Sequence, residues 1–298
     1  MNIRNQARAF LIHVGNLFRA DVLAMYVQRL RCHRSHAVVV AMHETPELLR
    51  AEFRQQLEFA AQHFTITSLE DFAKLWEHPA PPVANSQPLL LFTFDDGRES
   101  NYTVAAPLLE SFGGRGLFFV VPAFAELAGT TRALYFFQNR INPNSKLGDE
   151  DGADWKPMSP AQISDLASRG HAIGNHTLNH EGLRGLSAVD LEREIKDSAG
   201  KLALWTGKPV DCFAWTFGWD AIDAKAWQAI LRRHRFCFSP CAGIIDPRRD
   251  RPSLLWRREI EARYSVAELR FAYSGLVDLW WGSRRRKLRD MLRESSAG

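Results

Sequence analysis

Short segments suited to β-strands alternate with amphipathic segments along most of this chain. Seven short segments predict strands, at residues 37–42, 65–67, 89–94, 116–121, 170–174, 211–216 and 236–239. Apolar residues at helical spacing predict helices between them, at residues 46–63, 68–76, 104–112, 159–169, 188–207 and 223–233. This alternation predicts parallel strands joined by crossover helices. Because no glycine-rich dinucleotide loop accompanies these units, we expect a barrel-like sheet with its active site at the carboxyl ends of the strands.

The two ends of the chain depart from this pattern. Residues 7–30 place apolar side chains on one face of a predicted helix, with arginines around it. Near the other end, Trp280 and Trp281 precede a basic run at 284–287. Indole rings favour the headgroup region of a membrane and cations favour anionic lipid, so each end is either an interfacial anchor or a helix packed on the barrel. We therefore divide the chain into a basic amphipathic helix (1–36), a barrel (37–275) and a Trp/Arg-rich tail (276–298).

Charge and composition narrow the partners. Hydrophobic residues make up 46% of the chain and charged residues 24%, which excludes a disordered chain or a coiled coil. The net charge of +4 is concentrated at residues 1–36 and 280–298, and no nucleic-acid-binding module is recognisable, so we expect no nucleic-acid partner. We also see no signal peptide and no apolar run of about 18 residues. We expect a cytoplasmic protein, with peripheral contact to the inner membrane face through its basic ends.

Four cysteines occur, Cys32, Cys212, Cys237 and Cys241, and none has the CxxC spacing of a zinc knuckle. We expect free thiols, with a Cys237–Cys241 disulfide as the alternative.

Two constellations carry the chemistry. Asp95 and Asp96 end an apolar strand, where carboxylates are unfavourable unless they are paired or used. His176 and His180 are four residues apart and would face one metal ion if the segment were helical. Taken singly, they are better explained by a solvated turn and by two surface histidines. Together, two imidazoles and one carboxylate leave open positions on a divalent ion, which is typical of hydrolytic sites, with Asp95 free to act as a base.

The TFDDG and HTLNH segments resemble the first two motifs of the polysaccharide deacetylases, the NodB-type enzymes of carbohydrate esterase family 4. The match in order and spacing runs over residues 89–218. Residues 37–88 resemble the lead-in of the poly-N-acetylglucosamine deacetylase subgroup, where a strand ends near a histidine, here His43. The resemblance implies a deformed (β/α) barrel of about seven units, to which this chain adds amphipathic helical extensions at both ends.

The same resemblance implies the chemistry of the site. Asp95 would be the catalytic base, and the metal ligands would be Asp96, His176 and His180. The bound ion would be Zn²⁺, with Co²⁺, Ni²⁺ or Mn²⁺ as alternatives. The implied activity is removal of an N-acetyl or other acyl group from a sugar of a cell-envelope polysaccharide or of its lipid-linked precursor.

Two departures from the family pattern leave roles open. The third motif, commonly Arg-x-Pro-aromatic-Gly, reads AWTFG here, so its arginine and proline are absent. We expect Arg257 or Arg258 to orient the base instead. Three residues of this segment are candidates for substrate contact or for stabilising an oxyanion, with core packing as the alternative for the tryptophan: Trp215, Phe217 and Gly218.

The family's last motif, Leu-x-His, is also absent. The only histidine after His180 is His234, which lies in a basic segment and is expected to be a solvated surface residue. The proton donor is therefore unassigned. A non-catalytic, carbohydrate-binding relative that has lost this acid is the alternative function.

Overall fold

The computed structural model describes residues 35–77, 86–143 and 154–295. The predicted helix at 7–30 and Cys32 lie outside these ranges. Nine strands are present in the described residues: β1 (Ala37–Met42), β2 (Thr65–Ile66), β3 (Leu89–Phe94), β4 (Leu117–Val120), β5 (Ala172–Asn175), β6 (Cys212–Ala214), β7 (Phe236–Ser239), β8 (Leu255–Trp256) and β9 (Arg258–Glu259). Their ladders are parallel, in the order β8-β7-β6-β5-β4-β3-β1-β9, with β2 paired to β3.

A single residue closes the sheet on itself. The first and last strands of the order, β8 and β9, are consecutive in the chain, with only Arg257 between them. β8 pairs with β7 and β9 pairs with β1, so residues 255–259 bridge both edges. The result is a nearly closed (β/α) barrel with seven positions around it, if β8 and β9 are counted as one. The barrel predicted for this chain is confirmed, although the closing strands themselves were not predicted.

Helices surround the barrel, with the bounds α1 (Arg50–His63), α2 (Leu69–Glu77), α3 (Ala106–Ser111), α4 (Pro122–Ala125), α5 (Arg132–Phe136), α6 (Pro160–Ser168), α7 (Ala188–Glu192), α8 (Ser198–Thr206), α9 (Ala224–Leu231), α10 (Val266–Tyr273), α11 (Leu276–Trp280) and α12 (Gly282–Ser295). The helices predicted within the barrel are all present, whereas α4, α5 and α10 were not predicted. A 3₁₀ turn at Glu47–Leu49 precedes α1, and π-helical turns at Asn101–Ala105, Phe137–Ile141 and Arg193–Asp197 adjoin α3, α5 and α7. Serine caps begin α6 and α7, as Ser159 Oγ and Ser187 Oγ accept from backbone N–H groups. The predicted helix at 188–207 is one continuous helical run, in which the π-helical turn Arg193–Asp197 joins α7 to α8.

Burial on both faces of the sheet explains why its strands read as apolar runs. Along β1, Val38 and Val40 pack in one cluster while Val39 packs in the other. β3 divides in the same way, with Phe92 in the first cluster and Leu91 in the second. Since alternate side chains point to opposite faces, both sides of each strand must be apolar. Polar residues on these strands are therefore restricted to their ends, where the site lies.

The C-terminal helices pack on the barrel. Leu288 of α12 is buried in the core, and Arg289 donates a 2.8 Å hydrogen bond to the buried carboxylate of Asp250. Leu279 and Trp280 of α11 remain 79% and 65% exposed. No helix among the described residues is long and apolar enough to cross a membrane. The C-terminal tail is therefore packed on the barrel through one part of its surface, while another part of it is exposed.

Two side-chain expectations are settled by the core. Cys212, Cys237 and Cys241 are buried free thiols, so the alternative of a Cys237–Cys241 disulfide is wrong. His234 is not a solvated surface residue: it is 3% exposed. Its Nδ1–H donates to the Ile230 carbonyl (3.1 Å), and its Nε2 accepts from the Asn175 amide (3.2 Å). Packing of α9 against the sheet buries it, which the local basic sequence could not reveal.

This buried histidine makes stability depend on pH. Burial lowers the pKa of His234 to about 4, whereas its pKa in the unfolded chain is about 6.5. The stability that it contributes is complete above the unfolded value and is lost as the pH falls towards 4. Between about pH 6 and 4, the free energy of unfolding should fall up to about 1.4 kcal/mol per pH unit more steeply in the wild type than in His234→Gln, which does not titrate. Parallel curves from urea titrations at several pH values would show that the ring is not held neutral.

Candidate active site

One cavity is lined by polar residues at the carboxyl ends of the strands. It has a volume of about 370 Å³, within the range of about 300–1,000 Å³ found for small-ligand sites. Its lining comes from the end of β1, from segments that follow β3, β5, β6 and β7, from the closing residues 257–259 and from the turn after α5: Ala41, His43, Asp95, Asp96, Arg98, Ile141, Asn142, His176, His180, Trp215, Phe217, Pro240, Arg257 and Glu259. Because the strands are parallel, their carboxyl ends meet at one edge of the barrel, and the two predicted constellations come together there.

Three buried side chains converge on a common point. One donor atom each from Asp96, His176 and His180 lies within 4.8 Å of the others. Asp96 Oδ1 is 3.7 Å from His176 Nε2 and 3.5 Å from His180 Nε2. No other group of three such residues occurs in the part of the chain that the structure describes.

The hydrogen bonds of the two histidines favour a metal ion at this point. His176 Nδ1 lies 2.7 Å from the Ala214 carbonyl, and His180 Nδ1 lies 2.7 Å from the Arg140 carbonyl. A carbonyl only accepts, so each Nδ1 carries the proton and each Nε2 presents a lone pair towards Asp96. Burial lowers the pKa of His176 to about 4, which keeps it neutral near pH 7. Two imidazoles and one carboxylate, all ready to donate, fit a divalent cation with open positions.

The histidine segment does not have the helical geometry that was considered for its i, i+4 spacing. It is an irregular loop after β5, in which Thr177 has φ +64° and His180 has φ +58°. Asp96 and Phe217 are the other non-glycine residues with positive φ in the described part of the chain. Left-handed backbone is unfavourable for such residues, and clusters of it are typical of functional sites. The loop brings both rings to one point without helical geometry.

Asp95 is held by Arg257 rather than by the metal cluster. The guanidinium Nη1 and Nη2 donate to Asp95 Oδ1 (2.6 Å) and Oδ2 (2.9 Å), and Nη1 also contacts Thr93 Oγ1 (3.2 Å). Burial alone would raise the pKa of Asp95, but the charge and hydrogen bonds of Arg257, together with the nearby His176 and His43, hold this pKa below the ordinary value. Arg258, the other candidate, points away from the cavity and pairs with Asp278 at 2.7 Å. Adjacent residues at the barrel closure thus face opposite sides.

Asp96 has a cationic neighbour of its own. Arg98 Nη2 donates to Asp96 Oδ2 (3.0 Å), which leaves Oδ1 facing the histidines, and Arg98 Nη1 donates to Glu44 (2.9 Å). Burial alone would raise the pKa of Asp96, but opposing effects, among them the charge of Arg98, hold it well below its ordinary value. The carboxylate therefore stays ionised, as a ligand requires.

The third-motif residues occupy different places around the cavity. Trp215 is 1% exposed and packs edge-on against Trp227, which leaves no ring face for a sugar, although its Nε1 is buried without a partner. Phe217 is 51% exposed at the cavity wall, with its ring 4.8 Å from that of His180. Gly218 is exposed beyond the cavity lining.

Three titratable residues of the cavity lining were not among the predicted site residues: His43, Arg98 and Glu259. His43 directly follows β1, so its position at the carboxyl end of a strand, the signal that identified Asp95, could have identified it as well. Arg98 lies two residues after Asp96, next to the recognised motif. Glu259 belongs to a closing strand of two residues that has no pattern of its own.

Comparison with known proteins supports the same picture. A family model described as "Polysaccharide deacetylase" matches residues 83–233. The peptidoglycan-N-acetylglucosamine deacetylase of Bacillus cereus is 25% identical over 136 residues, which is 45% of this chain and 47% of that protein. The match spans less than half the length of the curated relatives.

Two solved structures share the fold. The Streptococcus pyogenes deacetylase PplD, solved in complex with acetate, superposes with a TM-score of 0.60 at 18% identity, over 78% of this chain and 96% of PplD. IcaB from Ammonifex degensii superposes with a TM-score of 0.56 at 18% identity, over 82% of this chain and 97% of IcaB.

The donor cluster predicts a metal stoichiometry that can be measured. The purified chain should bind one equivalent of Zn²⁺ at this cluster, and His176→Ala or His180→Ala should weaken the affinity about tenfold or more, because each variant removes one of three ligands. Isothermal titration calorimetry with chelator competition measures both quantities. His171→Ala is the matched control, since its ring is buried but bonds Glu110 elsewhere. Undiminished binding by a double variant lacking both histidines would contradict the assignment.

Proposed function

The chain belongs to the polysaccharide deacetylase family, and from this premise we propose that it is a metal-dependent hydrolase acting on an N-acetylated sugar. The substrate we propose is a cell-envelope polysaccharide or its lipid-linked precursor, and the group removed is acetyl or another acyl group. The observation that carries the proposal is the meeting, in one cavity, of the donor cluster Asp96, His176 and His180 with the Asp95–Arg257 pair.

We propose Zn²⁺ as the metal, held by Asp96, His176 and His180, since Zn²⁺ favours mixed imidazole and carboxylate sites with an open position. When bound, such a cation would polarise the acyl carbonyl of the substrate and make a water molecule more acidic. The two Nε2 lone pairs and the Asp96 carboxylate would supply the donor atoms, and the carboxylate would supply the ligand charge. Co²⁺, Ni²⁺ and Mn²⁺ are the alternatives.

Asp95 is the proposed base. Its carboxylate is ionised near pH 7, and both of its oxygens are fixed by the bidentate Arg257 contact. It would accept the proton of the attacking water, with Arg257 setting its orientation. Arg257 thereby takes the part of the arginine that is absent from the third motif.

Departure of the sugar amine requires a proton, and His43 is the proposed donor. It lines the cavity and lies near enough to both aspartates for its charge to lower their pKa values. Its backbone carbonyl accepts a hydrogen bond from Asn101 Nδ2 (3.2 Å), which fixes the segment after β1. His234 cannot serve, because it is buried behind β5 and β6 and does not line the cavity.

The sugar would lie against Phe217, the aromatic side chain with exposed surface in the cavity wall. The B. cereus relative is named for an N-acetylglucosamine substrate, which supports an N-acetylated hexosamine here. The position of His43 directly after β1 supports placement in the poly-N-acetylglucosamine subgroup.

Acetate release decides between the enzyme and a non-catalytic binding protein. With Zn²⁺, the wild type should release acetate from N-acetylglucosamine oligomers. Asp95→Asn should retain the metal and lose turnover by about 100-fold or more, the scale expected for removal of a general base. Asp290→Asn, an exposed substitution on α12, is the matched control. Saturable sugar binding without any release by the wild type would establish the non-catalytic alternative.

We propose further that α11 and α12 contact an anionic membrane surface. Leu279 and Trp280 are exposed side by side, and the exposed cations Arg286 and Lys287 follow in α12. An exposed indole beside cations is typical of interfacial anchors, and each cation near anionic lipid contributes about 1 kcal/mol. A lipid-linked substrate would be presented at such a surface.

Vesicle flotation tests this contact. Binding should require anionic lipid, weaken with salt and fall several-fold in a Leu279→Ser, Trp280→Ser double variant. Leu204→Ser removes another exposed leucine and should have no effect. Equal binding to neutral vesicles, or no binding to either kind, would contradict the proposal.

A further inference from the structure

A buried carboxylate stands behind the histidine loop without touching the cavity. Glu194 is 0% exposed and lies in the π-helical turn Arg193–Asp197, on the helical run that follows the loop. The cation nearest to it in the described residues is Arg193, whose Nε is 3.8 Å from Oε1. A buried charge is unfavourable unless hydrogen-bond donors surround it, so its actual partners indicate what it holds.

Those partners belong to the loop that carries the metal ligands. The Asn179 backbone N–H donates to Glu194 Oε2 (2.9 Å), and Asn179 Nδ2 donates to Oε1 (2.7 Å). The Leu178 N–H donates to the Glu194 carbonyl (3.0 Å). Both oxygens of the carboxylate and the backbone of the same residue are thus occupied by the two residues that precede His180.

The π-helical turn contributes a second anchor on the other side of the loop. The Ile195 carbonyl accepts from Asn175 Nδ2 (2.8 Å), and Asn175 Oδ1 accepts from the Thr177 N–H (3.0 Å). Asn175 and Asn179 flank the segment that contains His176 and the left-handed Thr177. π-helical turns inside α-helices are rare and are frequent at functional sites.

His180 needs such support. Its backbone has φ +58°, a conformation that a non-glycine residue adopts only when its surroundings enforce it. Its ring is oriented by the Arg140 carbonyl, but that bond forms only if the backbone delivers the ring to that place. The bidentate contact fixes the residue immediately before it.

We propose that Glu194 is a positioning residue that clamps Asn179 and thereby sets the place of the His180 imidazole. This inference deepens the proposed function and rests on it for the identity of His180 as a metal ligand. Glu194 itself touches neither the cavity nor the cluster. Its action passes through the backbone of the loop, from carboxylate to Asn179 to His180.

The test compares Glu194→Ala with Glu194→Gln. Alanine removes both acceptors, whereas glutamine can accept from the Asn179 N–H and donate to Asn179 Oδ1 once that amide turns over. By calorimetry, Zn²⁺ affinity should fall about 10- to 100-fold in the alanine variant, the range known for residues that orient ligands, and stay within a few-fold of wild type in the glutamine variant. Asn179→Ala, at a half-buried site, gives an intermediate loss and serves if Glu194→Ala does not fold.

Ser187→Ala is the matched control, because it removes the cap of the same helical run without touching the loop. Equal losses of affinity in Ser187→Ala and Glu194→Ala, or wild-type affinity in Glu194→Ala and Asn179→Ala, would overturn the proposal.

A second readout uses the metal-free protein. Nitrogen-15 chemical shifts of the His180 ring should show the Nδ1–H form in the wild type and in Glu194→Gln, and averaging between the two tautomers in Glu194→Ala. An unchanged ring in Glu194→Ala would overturn the clamp. A wild type that binds Zn²⁺ but releases no acetate would refute the proposed function and leave this inference standing.

Discussion

The buried ion pair between Asp95 and Arg257 links the closure of the barrel to its chemistry. Arg257 is the residue between β8 and β9, so its backbone lies where the two edges of the sheet meet. Its guanidinium crosses the interior, 5.2 Å from the ring of Phe119, to reach a carboxylate at the end of β3. Removing one partner of such a pair leaves a buried charge uncompensated, at a cost of about 3–5 kcal/mol. The geometry of the candidate base and the register of the closing strands therefore depend on each other.

Each of the two buried aspartates of the site is paired with an arginine. Arg257 pairs with Asp95, and Arg98 pairs with Asp96. One carboxylate oxygen of Asp96 contacts Arg98, and the other faces the histidine cluster. This division gives two neighbouring carboxylates different environments, which is how one strand end can serve two chemical roles. Glu259 is the third carboxylate at the cavity, and it lies exposed at the rim.

The residues with strained backbone are also concentrated at the site. Asp96, Thr177, His180 and Phe217, the non-glycine residues with positive φ in the described chain, all lie at or beside the cavity. Three of them are held by polar contacts: the Asp96 side chain by Arg98, and Thr177 and His180 by the contacts of their loop with Asn175 and with Glu194 in the π-helical turn. Surrounding packing thus enforces conformations that the local sequence does not favour.

The sequence alone determined those features that depend on local spacing. Apolar segments of strand length and amphipathic segments of helix length identified the barrel, and the strand-end aspartates with the HTLNH segment identified its candidate metal ligands. The tertiary structure decided which of Arg257 and Arg258 enters the barrel, because adjacent residues on a closing strand face opposite sides and only the pairing with β1 and β7 sets which. It also decided that His234 is buried and that His43 lines the cavity, since both depend on elements distant in sequence. Local periodicity records how a segment folds, whereas the partners of a side chain depend on long-range packing that no single segment encodes.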